Sequence, residues 1–180
     1  SLAIYQQSFK GDHPDIANGM ASVGGWLALD GEFKAAEPLL VDALAMRRRL
    51  FEPPHAEIAV SETALAYLYV DTGRYLEARL LAAQSARMLA EVLPADHWRI
   101  SWAESVEGAA LARLGEHVAG EKRLLHALAG LERADGSGSR RIYVRSTRRF
   151  LRDLYRVWGK PANAVSSRYM IDDAGRLNTA

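Results

Sequence analysis

Apolar residues recur along this chain on two scales. On the short scale they follow a helical period. In "ETALAYLYVDTG" (62–73), built from good helix formers, Leu65, Leu68 and Tyr69 share one face. On the long scale the pattern repeats. Ile16, Ile58, Ile100 and Ile142 are each 42 positions apart, and so are His13, His55 and His97. Gly31, Gly73 and Gly115 coincide in this register, as do Phe33, Tyr75 and His117, then Ala36, Ala78 and Gly120, then Ala43, Ser85 and Ala127. A fourth, weaker copy follows with a two-residue slip at Gly159, Pro161 and Ala164. A fixed period of this size points to a stacked repeat rather than a single globular core.

Each position in the unit has a physical task. The stretch before each glycine is a helix. The glycine ends it in a left-handed conformation, which costs other residues about 1 kcal/mol. A second helix follows, as in "RYLEARLLAAQSARMLAEVL" (74–93), and a short turn makes the two antiparallel. Small residues at 24/36, 66/78 and 108/120 let the two backbones approach; a leucine there overpacks by roughly 1–3 kcal/mol. The pattern predicts helix pairs at about 14–30 with 33–51, 56–72 with 75–93, and 98–114 with 117–133, then a last pair at about 140–158 and 161–172. In "GDHPDIA" (11–17), Asp12 sits where an N-cap belongs, as does Asp96 in "ADHWRIS". Pro14 suits the first turn, and Asp15 suits the positive helix end; the second copy uses Pro54 and Glu57. His13, His55 and His97 are strung along one edge, too far apart to share a metal.

These residues predict an all-α solenoid of antiparallel helix pairs. The division expected is 1–10 as the end of a preceding repeat, 11–133 as three full repeats, 134–139 as a linker, and 140–180 as a degenerate fourth repeat with a C-terminal cap. "SLAIYQQSF" (1–9) matches "ALAMRRRLF" (43–51) in register, so the sequence is expected to begin inside a repeat and to belong to a longer array.

"HPDIA…GEFKAAEPLLVDAL" (13–44) and "ALAYLYVDTGRYLEARLL" (64–81) resemble the tetratricopeptide repeat family in its 42-residue, kinesin-light-chain-like form. The tail "FLRDLYRVWGKPANAVSSRYM" (150–170) is similar to the last repeat of arrays that end bacterial Ser/Thr kinases and related regulators. The resemblance implies an all-α, right-handed superhelical solenoid that acts as a non-enzymatic scaffold within a larger regulatory or signalling protein, with a protein or peptide partner on the concave face. Kinesin-type repeats carry asparagine pairs in the first helix. Here the matching positions read Ala21-Ser22, Thr63-Ala64 and Ser105-Val106, so the family's usual backbone clamp is missing.

Composition narrows the chemistry. There is no cysteine, which excludes disulfides, thiolate metal sites and cysteine nucleophiles. No phosphate-binding glycine loop, His-Glu-x-x-His or Gly-x-Ser-x-Gly is present, so no catalytic residue, cofactor or metal is expected. His117 replaces the aromatic residue of its repeat position and reads as packing. No apolar run reaches the roughly 20 residues of a membrane span, and a cytoplasmic location is expected.

Two surfaces are candidates for recognition. The register puts Asn18, Ala21, Gly25, Val60, Thr63, Tyr67, Trp102, Ser105 and Ala109 on the concave walls. Of these Asn18, Thr63, Tyr67, Trp102 and Ser105 are the expected contact residues, and Tyr67 and Trp102 are the large ones. The second surface comes from uneven charge. The chain's net charge is +1, yet residues 140–156 hold seven arginines against one aspartate. Wound at 100° per residue, Arg141, Arg145, Arg148, Arg149, Arg152 and Arg156 fall within an arc of about 100°. Val144, Phe150, Leu151, Leu154, Tyr155, Val157 and Trp158 take the other side. Such a stripe suits an acidic ligand. Nucleic acid is disfavoured by the near-zero overall charge. Cis-regulation of a Ser/Thr kinase and self-association through an exposed N-terminal repeat edge are the other expectations.

Overall fold

The computed structural model describes residues 11–134 and 141–159. The expected preceding-repeat end (1–10), nearly all of the linker and the helix at 161–172 lie outside them. Within them the chain forms seven helices: α1 (Pro14–Leu29), α2 (Phe33–Leu50), α3 (Ala56–Asp71), α4 (Tyr75–Val92), α5 (Trp98–Arg113), α6 (His117–Ala134) and α7 (Arg141–Trp158). The boundaries follow the 42-residue register to within a residue or two.

The turns form as the repeat requires. Gly31, Gly73 and Gly115 take φ of 85°, 85° and 87°, so each first helix ends in the left-handed conformation that admits glycine without strain. The helices of a pair then come close. A Cβ added to Gly24 would meet the Leu40 side chain at 2.9 Å, and one added to Gly120 would meet the Gly108 carbonyl oxygen at 2.9 Å. Leu40, Leu68, Leu89, Leu124, Leu128 and Leu131 are fully buried along the stack.

The N-caps differ from expectation. The caps are His13, His55 and His97, not Asp12 and Asp96. In each repeat the imidazole Nδ1 accepts the backbone N–H two residues on, from Asp15, Glu57 and Arg99, all at 3.2 Å. Asp12 instead pairs with Arg49. The Arg49 guanidinium beside it holds the Asp12 carboxyl below the usual carboxylate range.

Curvature follows from which helices touch. The first helices α1, α3, α5 and α7 pack one against the next, whereas the second helices α2, α4 and α6 have no comparable contact with one another. The first helices therefore line the inner, concave face and the second helices splay outward. Between α2 and α4 the splay leaves a groove of about 420 Å³, lined by Val41, Leu44, Leu65, Leu80 and Leu81 with Arg48 and Glu77 at its sides. At the first edge of the stack, Val23 and Trp26 of α1 are exposed, while Leu65 and Leu68 at the same register positions of α3 are buried under α2 and its neighbours.

One interior residue carries a pH signature. Glu62 of α3 is fully buried, and its one ionic partner among the described residues is Arg48 at 2.8 Å. Burial raises its carboxyl pKa, with the Arg48 hydrogen bond and charge opposing. A folded-state pKa above the unfolded one favours the fold at low pH; that contribution fades as pH rises through the folded value. Glu62→Gln is therefore expected to gain stability relative to the parent between about pH 4 and about pH 7. Urea unfolding of both proteins at the two pH values measures this, and a constant difference would refute it.

Candidate functional site

The concave face starts at the N-terminal ends of the first helices. Asn18 is exposed there, and its Oδ1 accepts from Arg47 Nη2 at 2.6 Å. Arg47, at the end of α2, is 4% exposed and bridges two repeats. Its Nη1 donates to the Ser61 hydroxyl at 2.6 Å and the Glu57 carbonyl at 3.2 Å, and its Nη2 pairs with the Glu57 carboxylate at 2.8 Å. Burial lowers the Arg47 pKa; Glu57 opposes this and the charge of Arg99 adds to it. Ala21, Gly25 and Val60 are half-buried along the wall.

Two expected contact residues point elsewhere. Thr63 and Ser105 are buried, not presented on the groove. The Thr63 hydroxyl donates to the Ala59 carbonyl at 3.0 Å and meets the Ser85 hydroxyl of α4 at 2.6 Å. Ser105 donates to the Trp102 carbonyl at 3.0 Å. A short hydroxyl that bonds back to its own helix satisfies itself, and so it fits at a helix–helix interface. Ala109 is buried too.

Farther along, the two surfaces read from the sequence meet. Tyr67 is buried, with its ring 5.5 Å from Trp102 and 6.0 Å from Phe150 of α7. Arg149 Nη2 donates to the Tyr67 hydroxyl at 3.3 Å and to both Asp71 carboxylate oxygens at 3.0 Å. Its guanidinium also lies 5.0 Å from the Phe150 ring centre. Burial opposes charge on Arg149, but Tyr67 and Asp71 together outweigh it and raise its pKa. Burial raises the Tyr67 pKa, with Arg149 opposing. Trp102 stays half-buried, with Tyr143 of α7 at 4.7 Å; Tyr143 in turn stacks on Trp98 at 4.9 Å.

The arginine stripe is thus divided. Arg149 is turned inward onto Asp71, and Arg148 pairs with Glu132 at 2.8 Å. Arg141, Arg145 and Arg152 are exposed with no acidic partner among the described residues. Arg156 is exposed and reaches Asp153 only at 4.0 Å. On the opposite side Val144, Phe150, Leu151, Leu154 and Tyr155 are buried, whereas Val157 is exposed. His117 lies 5.3 Å from the Trp158 ring, and His126 contacts Glu104 at 2.9 Å. No group of three His, Asp or Glu side chains among the described residues is placed to hold a metal. No described helix is long and apolar enough to cross a membrane.

Sequence reasoning missed Arg47, Trp98, Arg99 and Tyr143. For the two arginines a signal was present. Arg47 occupies the register position of Leu89 and Leu131, both buried, and Arg99 that of Asp15 and Glu57.

Comparison with known proteins agrees with this architecture. Residues 20–91 match the family model of the tetratricopeptide repeat. No curated protein matches the chain significantly. Among solved structures, it is similar to a Podosopora anserina protein described as a candidate kinesin light chain with nearly identical TPR-like repeats. That likeness has a TM-score of 0.64 at 20% identity, over 91% of this chain and 76% of the other. A point variant of the same protein gives 0.65 at 19% identity with the same coverage.

Proposed function

We propose that this chain, a solenoid of antiparallel helix pairs whose residues 20–91 are tetratricopeptide repeats, is a non-enzymatic scaffold that receives a protein partner on its concave face. The observation that carries this reading is the inner face itself. The first helices line up edge to edge there, and the half-buried Trp102 stands between a polar rim at Asn18 and Arg47 and an inward-turned arginine at Arg149. A large, partly exposed aromatic side chain bordered by polar groups is the usual anchor of an interface. A cytoplasmic place within a larger regulatory protein fits this role.

The exposed Arg141, Arg145, Arg152 and Arg156 favour an acidic partner as a second reading. Arg141, Arg145 and Arg152, with no acidic partner among the described residues, and Arg156, 4.0 Å from Asp153, attract carboxylate or phosphate, and the attraction falls with salt.

The test is photo-crosslinking in lysate of the source cell with a reactive residue at Ala21 or Val60 on the concave face, and at Leu80 on the convex face. Adducts are expected from the first two positions and not from Leu80. Adducts at Leu80 alone would move the binding surface to the groove between α2 and α4.

A further inference from the structure

We propose that Tyr67, Asp71 and Trp102 form a seat for a cation followed by an aromatic side chain of the partner, and that α7 holds this seat with its own Arg149 and Phe150 until the partner displaces them. The inference rests on the concave-face reading and adds the partner's chemistry and a means of regulation.

Asp71 closes α3, where the negative end of the helix disfavours an acid. Its register mates are Leu29 and Arg113. One helical turn earlier Tyr67 stands on the same face, and the Trp102 ring lies 5.5 Å from it. A carboxylate beside aromatic rings is the chemistry that receives a guanidinium or an ammonium. The chain itself shows the fit. Arg149 Nη2 reaches both Asp71 oxygens at 3.0 Å and the Tyr67 hydroxyl at 3.3 Å, and its guanidinium carbon is 5.7 Å from the Tyr67 ring centre. The Phe150 ring sits 6.0 Å from the same ring. The Arg149 side chain remains 36% exposed, so a competing cation can approach Asp71 from solvent.

The register marks this pair as an addition to the stack. In the slipped fourth copy, Arg149-Phe150 falls at the positions of Ala21-Ser22, Thr63-Ala64 and Ser105-Val106. None of those pairs combines a cation with an aromatic ring. Stacking of α7 on α5 and α6 has its own residues: Val144, Leu151 and Leu154 match Ile58, Leu65 and Leu68 of α3, and all six are buried. Repeats in a solenoid touch mainly their neighbours. Arg149 and Phe150 instead reach past α5 to α3, and they cover Tyr67 down to 7% exposure. An internal occupant lowers the apparent affinity of an external one by the fraction of time the seat is open.

The probe is capped Ala-Arg-Phe-Ala, with capped Ala-Arg-Ala-Ala and Ala-Glu-Phe-Ala as controls. Binding to the full chain is followed by tryptophan fluorescence, and the state of α7 by hydrogen exchange. The variant carrying both Arg149→Ala and Phe150→Ala is expected to bind the probe at least about tenfold more tightly than the parent, and neither control. Adding Asp71→Asn to it is expected to weaken binding by about fivefold. In the parent, saturating probe is expected to lower the protection of the α7 amides. A contact that serves the fold alone predicts none of these changes. Equal affinity of the parent and the double variant would overturn the proposal, as would no binding by the double variant. So would binding of Ala-Arg-Ala-Ala as tight as that of the probe, or probe binding that leaves α7 protection unchanged. Should the double variant lose its fold, Arg149→Ala alone decides: a gain of about fivefold supports displacement, and no gain overturns it. If the probe fails on every variant while Ala21 or Val60 still crosslinks, this inference alone falls and the scaffold reading stands.

Discussion

Arg47→Ala is expected to destabilise the protein by about 3–5 kcal/mol, the cost of breaking a buried ion pair by removing one partner. Arg47 holds Asn18 of α1 and Glu57 and Ser61 of α3, so its loss loosens the joint between the first two repeats. Ser61 is buried and loses its partner outright, and the partly exposed Glu57 carboxylate falls back on water. The pair itself contributes less than this figure suggests, because bringing a guanidinium into the interior cancels much of its attraction to Glu57. Arg47→Leu separates the two effects. Leucine fills the same register position at Leu89 and Leu131, both buried. It is expected to cost less than half as much as alanine, since it restores apolar packing where alanine leaves a cavity. Urea midpoints of the three proteins measure this. A loss below about 1 kcal/mol for alanine would show that water replaces the guanidinium without strain.

The repeat register made most of the fold legible, and its limits are instructive. Gly31, Gly73 and Gly115 and the small residues opposite one another fixed the helix pairs, because a turn or a close approach admits few residue types. The caps were legible in principle and misread. Asp12 and Asp96 fit the usual cap preference, yet the second copy has Pro54 in that place, and only the histidine is common to all three copies. The recurring residue was the better guide than the general preference. Thr63 and Ser105 were misplaced because helical winding gives a face only approximately, and a hydroxyl bonded to its own backbone tolerates burial. The joining of Arg149 to Asp71, 78 residues apart, left no local trace. It depends on how far the stack curves, which is a property of the packed helices. Arg47 and Arg99 each broke the register visibly. What the sequence could not say is which partner each departure meets, and for Arg99 the described structure supplies none.

Phe150→Ala is expected to cost about 3–5 kcal/mol, the usual loss for truncating a buried aromatic residue, and the loss should stay local. Phe150 is 4% exposed and wedges against Tyr67, two repeats back along the concave face. In a stack where each pair touches mainly its neighbours, a weakened end opens without unfolding the rest. Hydrogen exchange is expected to show the amides of α7 losing protection while α1 to α4 keep theirs. Arg149→Ala provides the comparison. It removes the ion pair to Asp71 but leaves the ring in place, and because Arg149 is partly exposed its loss is expected near 1 kcal/mol. The order of the two variants decides what holds α7 on the groove. A larger effect from Phe150 makes apolar burial the main attachment and the arginine a guide to orientation. A larger effect from Arg149 would make α7 an electrostatic closure, loosened by salt and open to competition by a partner's own cation for Asp71. Uniform loss of protection over all seven helices in Phe150→Ala would contradict both, and would make the last helix part of one cooperative core.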